Sequence, residues 1–324
     1  MQLAGVVGLP RSGTTWVAKI TDSSPVTAYL HEPDYVRGLH CVPLVADQED
    51  ADVWAEYLHD FIHELAKSGA ARSLLKRPQF QKRYRNTWMQ RTSFELASLT
   101  YRGRQLLAAT GFDLHGTALP RDYKNASLLV WKSVEMVGRL GVLARVLRDQ
   151  KFVFVVRHPC GFVDSVLRGE QSGKFEGSSV LSKDAGMFAA AMSTPFARSQ
   201  NWEVKDWLQL SPIEKLSRFW CSINEQAWRD TSAMSNVLLV QYEQLCRSPE
   251  AETKRIFHFL GLDLEPQTAQ FLRESTTTNS TDYYSVSRNT EDKIEDWKRS
   301  LSTSQIESIL AQTHGTKIAK SLQL

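Results

Sequence analysis

Between an apolar run and a stretch of helical period the chain reads Gly8-Leu9-Pro10-Arg11-Ser12-Gly13-Thr14-Thr15-Trp16. Two glycines five positions apart, followed by two hydroxyl residues, mark a loop whose backbone N–H groups can surround an anion at a helix N-terminus. The place of the cation decides which anion. A nucleoside triphosphatase has Lys directly after the second Gly, where it reaches the outer phosphates; here that place is Thr14, and the cation has moved back to Arg11. One early cation with two hydroxyls suits a single 5′-phosphate group rather than a triphosphate with magnesium. No magnesium carboxylate is recognisable after a second strand, and no metal is expected.

Such a loop needs a strand behind it and a helix ahead, and the chain supplies that unit repeatedly. Short β-branched runs occur at 3–8, 25–30, 127–131, 151–156 and 237–241. Each is followed by a loop and then a helical pattern. Continuous apolar strands alternating with helices predict an α/β fold in three layers, a central parallel sheet covered on both faces. The spacing predicts a helix over 139–148 with Leu140, Leu143, Ala144 and Leu147 on one face. It predicts another over 214–228 carrying Leu216, Phe219, Trp220, Ile223, Ala227 and Trp228, and a third over 250–260 ended by Gly261. Residues 34–126 and 169–212 break the alternation and read as insertions that form a lid or acceptor wall on a single domain spanning 1–324.

The 324 residues carry 39 Lys and Arg against 36 Asp and Glu, with 42% hydrophobic residues. That balance excludes a collagen, a disordered tail and a disulfide scaffold, and a net charge of +3 is too small to imply nucleic acid. Cys41, Cys160, Cys221 and Cys246 are scattered without a CxxC pair, so reduced thiols and a cytoplasmic location are expected. The first residues run straight into an apolar strand without a signal-peptide pattern, and no window is apolar for long enough to span a membrane.

The string PRSGTTW resembles the 5′-phosphosulfate loop of sulfotransferases that use 3′-phosphoadenosine 5′-phosphosulfate (PAPS) as donor. The resemblance implies that Arg11, Ser12, Gly13, Thr14 and Thr15 hold the 5′-phosphate and that Trp16 lies against adenine. It continues in Val156-Arg157-His158-Pro159 and Ser165. In the family an Arg and a Ser eight residues apart bind the 3′-phosphate, which points to Arg157 and Ser165. An Arg at a strand end and a hydroxyl near a helix N-terminus can both face one anion. Tyr242-Glu243-Gln244-Leu245 with Phe259-Leu260-Gly261 is similar to two further family segments, placing Tyr242 near adenine. Ser287-Arg288 before Trp297-Lys298 matches less closely, since Asn289-Thr290 replace the family's Lys-Gly; Arg288 is a candidate second ligand of the 3′-phosphate.

Sulfuryl transfer needs a base for the acceptor's proton and fixed cations for the charge that builds on the leaving phosphate. Arg11 is one such cation. Lys132, just past the apolar strand Leu128-Leu129-Val130-Trp131, is the second, since it emerges at the sheet edge where open α/β sheets bind ligands. Cytosolic family members read Lys-Thr-His here; this chain reads Lys132-Ser133-Val134, so the catalytic His is absent. Carbohydrate-type members place a Glu-Pro after the second strand, and His31-Glu32-Pro33 matches it. Glu32 is therefore the expected base, with His31 as the alternative. His158 reads as structural, Asp164 and Glu135 as helix-surface or capping groups, and Trp202, Trp207, Trp220 and Trp228 as core more readily than acceptor wall.

Residues 72–104 hold Arg72, Lys76, Arg77, Lys82, Arg83, Arg85, Arg91, Arg102 and Arg104 against Glu95, interleaved with Phe80, Tyr84, Trp88 and Tyr101. This tract is either a solvated helix face or a wall for an anionic or sugar-rich acceptor. The leading expectation is a PAPS-dependent sulfotransferase, yielding 3′,5′-ADP (PAP), that acts on a hydroxyl of a carbohydrate, glycolipid or glycosylated metabolite. Nucleic acid is not expected as a partner. A small-molecule kinase on the same loop and a non-catalytic nucleotide-binding protein with a basic surface for RNA or an acidic partner are the alternatives.

Overall fold

The computed structural model describes residues 1–35, 41–67, 78–84, 125–173, 181–277 and 294–324. Its centre is a five-stranded sheet in which every pairing is parallel, built from β1 (Gln2–Val7), β2 (Thr27–His31), β3 (Leu128–Ser133), β4 (Lys151–Val156) and β5 (Val237–Gln241). The spatial order is β2-β3-β1-β4-β5. The chain thus leaves the central β1 to one side for β2 and β3, and then crosses to the other side for β4 and β5. Crevices at such a reversal, outside the carboxyl ends of the strands, are where open α/β sheets take ligands.

Alternation along each strand divides the core into two layers. Phe152, Phe154 and Val156 of β4 join Val7, Leu30, Leu129 and Trp131 on one face. Val153 and Val155 join Ala4, Val6, Tyr29, Leu128 and Val130 on the other. Both layers are buried, which is why the strands read as continuous apolar runs.

The second face is covered by α1 (Thr14–Asp22), which contributes Trp16, Val17, Ala18 and Ile20. The first face packs against α2 (Ala51–Lys67), α3 (Leu140–Val146) and α4 (Pro159–Gln171). Residues 181–208, within the second expected insertion, hold two short helices, α5 (Ala185–Met192) and α6 (Pro195–Ser199), started by side-chain caps from Asp184 and Thr194. Both pack on the long α7 (Pro212–Thr231), and Phe188, Ala191, Met192 and Ala197 enter the core. This stretch is thus partly structural, not only a wall. After β5 come α8 (Tyr242–Arg247), α9 (Pro249–Leu260), which Gly261 ends at φ 75°, and α10 (Pro266–Thr277). Residues 297–321 add α11 (Trp297–Ser300), α12 (Thr303–Thr313) and α13 (Lys317–Ser321).

Of the basic aromatic tract only 78–84 is described, and it is fastened to the far end of α1, away from the glycine loop. Lys82, its side chain 7% exposed, pairs with Asp22 at 2.9 Å and donates to the Ser24 carbonyl. Phe80 meets Phe271 edge to face, Tyr84 donates to the Thr27 carbonyl, and Arg83 pairs with Glu265. Lys82 and Tyr84 thus brace the end of α1 and the start of β2, and Phe80 and Arg83 tie the segment to α10 and the residue before it; the rest of the tract lies outside the described residues. No described helix is long and apolar enough to cross a membrane.

Candidate active site

Because all five strands run the same way, the loops that follow them open at one edge. The loop after β1 turns at Ser12, whose N–H reaches the Leu9 carbonyl at 3.1 Å. Arg11 and Gly13 both take the left-handed backbone, at φ 68° and 87°. Gly13 is also the N-cap of α1 and, having no side chain, leaves the helix start without a side-chain cap, the arrangement that anion sites use. A Cβ on Gly13 would lie 2.6 Å from Tyr242 Cε2 and closer still to Cδ2, so the Tyr242 ring rests directly on the loop.

Arg11 Nε donates to Ser165 Oγ at 3.1 Å, and Arg157 Nη1 donates to the Arg11 carbonyl at 3.0 Å. Residues 146 and 154 positions apart in sequence therefore form one cationic knot at the mouth of the loop. The guanidinium of Arg157 lies 5.0 Å over the Tyr242 ring, and its own carbonyl accepts from Trp220 Nε1 at 3.0 Å. Arg157 Nε is buried without a hydrogen-bond partner among the described residues. Trp16 is buried, meets Tyr242 edge to face and donates to Ser275 Oγ at 3.1 Å.

The second half of the site stands where β2 and β3 end. Lys132 is opposite His31 in the register, and Glu32 continues the pairing with its N–H on the Lys132 carbonyl at 2.9 Å. The Lys132 ammonium, only 3% exposed, forms an ion pair with Glu32 Oε1. His31 Nε2 is 3.8 Å from the other carboxylate oxygen, while its Nδ1 shares a 2.7 Å hydrogen bond with the Tyr29 hydroxyl. Glu32 holds a left-handed backbone at φ 48°, which turns the chain sharply into Pro33–Tyr35.

The structure brings Arg11, Ser12, Gly13, Thr14, Thr15, Trp16, Arg157, Ser165 and Tyr242 together around one loop, and pairs Glu32 with Lys132 beside His31. Arg288 lies outside the described residues. His158 is structural as expected: its ring caps α4 through Cys160 N, stacks on Trp297 at 4.8 Å, and is held down to about 4 by burial and then by Arg157. Its N–H donates to Glu243, a buried carboxylate whose proton affinity desolvation raises. Asp164 is not a surface group. It is buried, pairs with Arg168 at 2.6 Å and accepts from Ser300 Oγ at 2.5 Å, because α11 packs on that side of α4. Trp220 is core, placed directly beneath Arg157.

Two features had no counterpart in the reading by motif. One is Asp34, buried and bonded to Ser133 Oγ at 2.5 Å, with its carboxyl pushed up to about 6 by desolvation and by the nearby Glu135 and Glu32. Its only signal was proximity to the Glu-Pro pair. The other is a narrow apolar cleft beside the loop, lined by Leu9, Leu44, Val137, Met187, Phe219 and Ile223, with Glu135 at its edge. Both inserted stretches contribute to it.

A glycine loop opening a helix, two arginines joined with Ser165, and a carboxylate–ammonium pair thus share one edge of the parallel sheet. The family model for sulfotransferases matches residues 5–266, and the chain belongs to that family. Two mouse proteins are similar over short stretches. Carbohydrate sulfotransferase 3 is 32% identical over 66 residues, 20% of this chain and 14% of that protein. Carbohydrate sulfotransferase 1 is 31% identical over 87 residues, 26% of this chain and 21% of its own length. The chain thus covers less than two thirds of either relative. Among solved structures, the sulfotransferase domain of the Synechococcus PCC 7002 olefin synthase is 15% identical, with 96% of this chain and 94% of that one covered and a TM-score of 0.43. Mouse sulfotransferase SULT7A1 complexed with PAP is 14% identical, with 99% and 88% covered and a TM-score of 0.43.

Proposed function

We propose that the chain transfers the sulfuryl group of PAPS to a hydroxyl of a sugar-bearing acceptor, with Glu32 as base. The observation that carries this reading is the joining of Arg11, Arg157 and Ser165 beside an uncapped helix N-terminus, at the same edge of the parallel sheet as the Glu32–Lys132 pair. The buried, unpartnered Nε of Arg157 fits a phosphate oxygen. Arg157 and Ser165 would hold the 3′-phosphate of the donor, and Arg11, Thr14, Thr15 and the N–H groups opening α1 its 5′-phosphate.

In the transfer the acceptor oxygen forms a bond to sulfur as the bond from sulfur to the bridging oxygen breaks. The acceptor's proton passes to the Glu32 carboxylate, and the electron pair stays on the 5′-phosphate of PAP, whose charge Arg11, Lys132 and the helix N-terminus stabilise. The two mouse relatives, named as carbohydrate sulfotransferases, favour a sugar hydroxyl as acceptor.

A thermal-shift titration with PAP against ATP and magnesium tests the reading. A ligand at about a hundred times its Kd adds about 2.7 kcal/mol to stability, so a PAP-specific rise is expected. A response to ATP with magnesium alone would restore the kinase reading. Glu32→Gln is expected to keep the PAP shift and lose transfer; PAP binding without transfer to any acceptor by the parent protein would leave a nucleotide-binding protein.

A further inference from the structure

We propose that Asp34 is a positioning residue of the transfer site: bonded to Ser133, it locks the turn that carries Glu32 onto the strand that carries Lys132, and so fixes the base against the ammonium. This rests on Glu32 being the base.

The argument begins with the backbone of Glu32. A non-glycine residue at φ 48° is strained and persists only where its surroundings over-determine it. Two fastenings flank it. On its own N–H the carbonyl of Lys132 accepts at 2.9 Å, and two residues later the Asp34 carboxylate accepts from Ser133 Oγ at 2.5 Å. Ser133 Oγ in turn accepts from the Glu135 N–H at 3.1 Å, so the latch continues into the loop that follows β3. The backbone bond and the latch tie the end of β2 to consecutive residues of β3, one of which is Lys132.

Asp34 is also a poor choice for stability. It is 4% exposed, and its second oxygen, Oδ1, is buried without a hydrogen-bond partner among the described residues. A half-bonded buried carboxylate costs more than an apolar side chain of similar size. Its charged surroundings are Glu32 and Glu135, which oppose its ionisation, and Arg139, with which it attracts. Asp34 is ionised only above about pH 6, and there its charge and that of Glu32 oppose each other.

The test uses the full chain with Asp34→Asn, Asp34→Ala, Ser133→Ala and the pair of alanines together. Titration of the Asp34 side-chain carboxyl by ¹³C NMR, assigned by its loss in Asp34→Asn, reads the coupling without any acceptor. The Asp34 midpoint, near 6, is expected to fall in Glu32→Gln, where the opposing charge is gone. Turnover of PAPS to PAP, with water and with p-nitrophenyl β-galactoside as acceptor probes, reads the positioning. Each alanine variant is expected to lose about tenfold or more in kcat, as a displaced reacting group does, with the KM for PAPS kept within about twofold. The double variant is expected to lose no more than either single one, since both break the same latch. An unchanged Asp34 midpoint in Glu32→Gln, or full kcat in both alanine variants, overturns the proposal. Normal turnover in Glu32→Gln instead overturns the base, and a parent protein indifferent to PAP overturns the donor; the Asp34 midpoint still decides whether the two carboxyl groups act on each other.

Discussion

Gly13→Ala probes the contact on which the phosphate loop is built. The substitution adds one methyl group at a residue with φ 87°, and the methyl carbon would come within 2.6 Å of Tyr242 Cε2. The left-handed backbone costs an L-residue about 1–2 kcal/mol. Overlap with the Tyr242 ring forces that ring or the loop aside, an overpacking cost of about 1–3 kcal/mol. Together the change destabilises the protein by about 2–5 kcal/mol and, by displacing the first N–H groups of α1, abolishes the PAP thermal shift. The two contributions separate in a double-mutant cycle measured by urea unfolding. In a Tyr242→Ala background the steric part disappears and only the backbone part, about 1–2 kcal/mol, remains. An equal cost of Gly13→Ala in both backgrounds would refute the placement of Tyr242 on the loop, and with it the reasoning that the ring shapes the donor site.

Arg157→Met removes the donor to the Arg11 carbonyl and the cation over Tyr242, and is expected to cut the PAP response sharply; an undiminished shift in calorimetric titration would count against the cationic knot. Ser165→Ala takes away the acceptor of Arg11 Nε, and loss of a hydrogen bond to a charged group, about 1.5–3 kcal/mol, predicts PAP affinity weaker by about tenfold to a hundredfold. The Asp34 carboxyl is pushed up from 3.8 to about 6 in the folded chain, so its neutral form stabilises the fold below about 3.8 and that contribution is lost as pH rises through about 6. Asp34→Asn therefore gains on the parent protein between pH 4 and 7 by up to about 3 kcal/mol, read from urea midpoints; a gap that does not change with pH would contradict the shift.

Much of the site was legible because its parts are local. A phosphate loop is a run of adjacent residues between one strand and one helix, so Gly8 to Trp16 could be read as a unit. Arg157 and Ser165 belong to one stretch of chain, Arg157 just past β4 and Ser165 about two turns into α4, so their spacing could be read locally. Five apolar runs located five strands, each within three residues of its observed ends. Short helices over 185–199 were less legible, since two or three turns interrupted by a proline carry little periodicity.

What strand positions cannot state is strand order, and the rest of the site depends on it. Glu32 and Lys132 meet across 100 residues only because β2 lies beside β3 with His31 in register with Lys132. The same adjacency sets Asp34 on Ser133, a bond no motif announces. Asp164 became a buried group because α11 folds back on α4, and Lys82 turned from a candidate acceptor wall into a brace for α1 through Asp22. In each case the local sequence determined which groups a segment could offer. Which groups meet was decided by non-local packing, because a hydrogen bond or ion pair depends on distances of a few ångströms between segments that sequence separation does not encode.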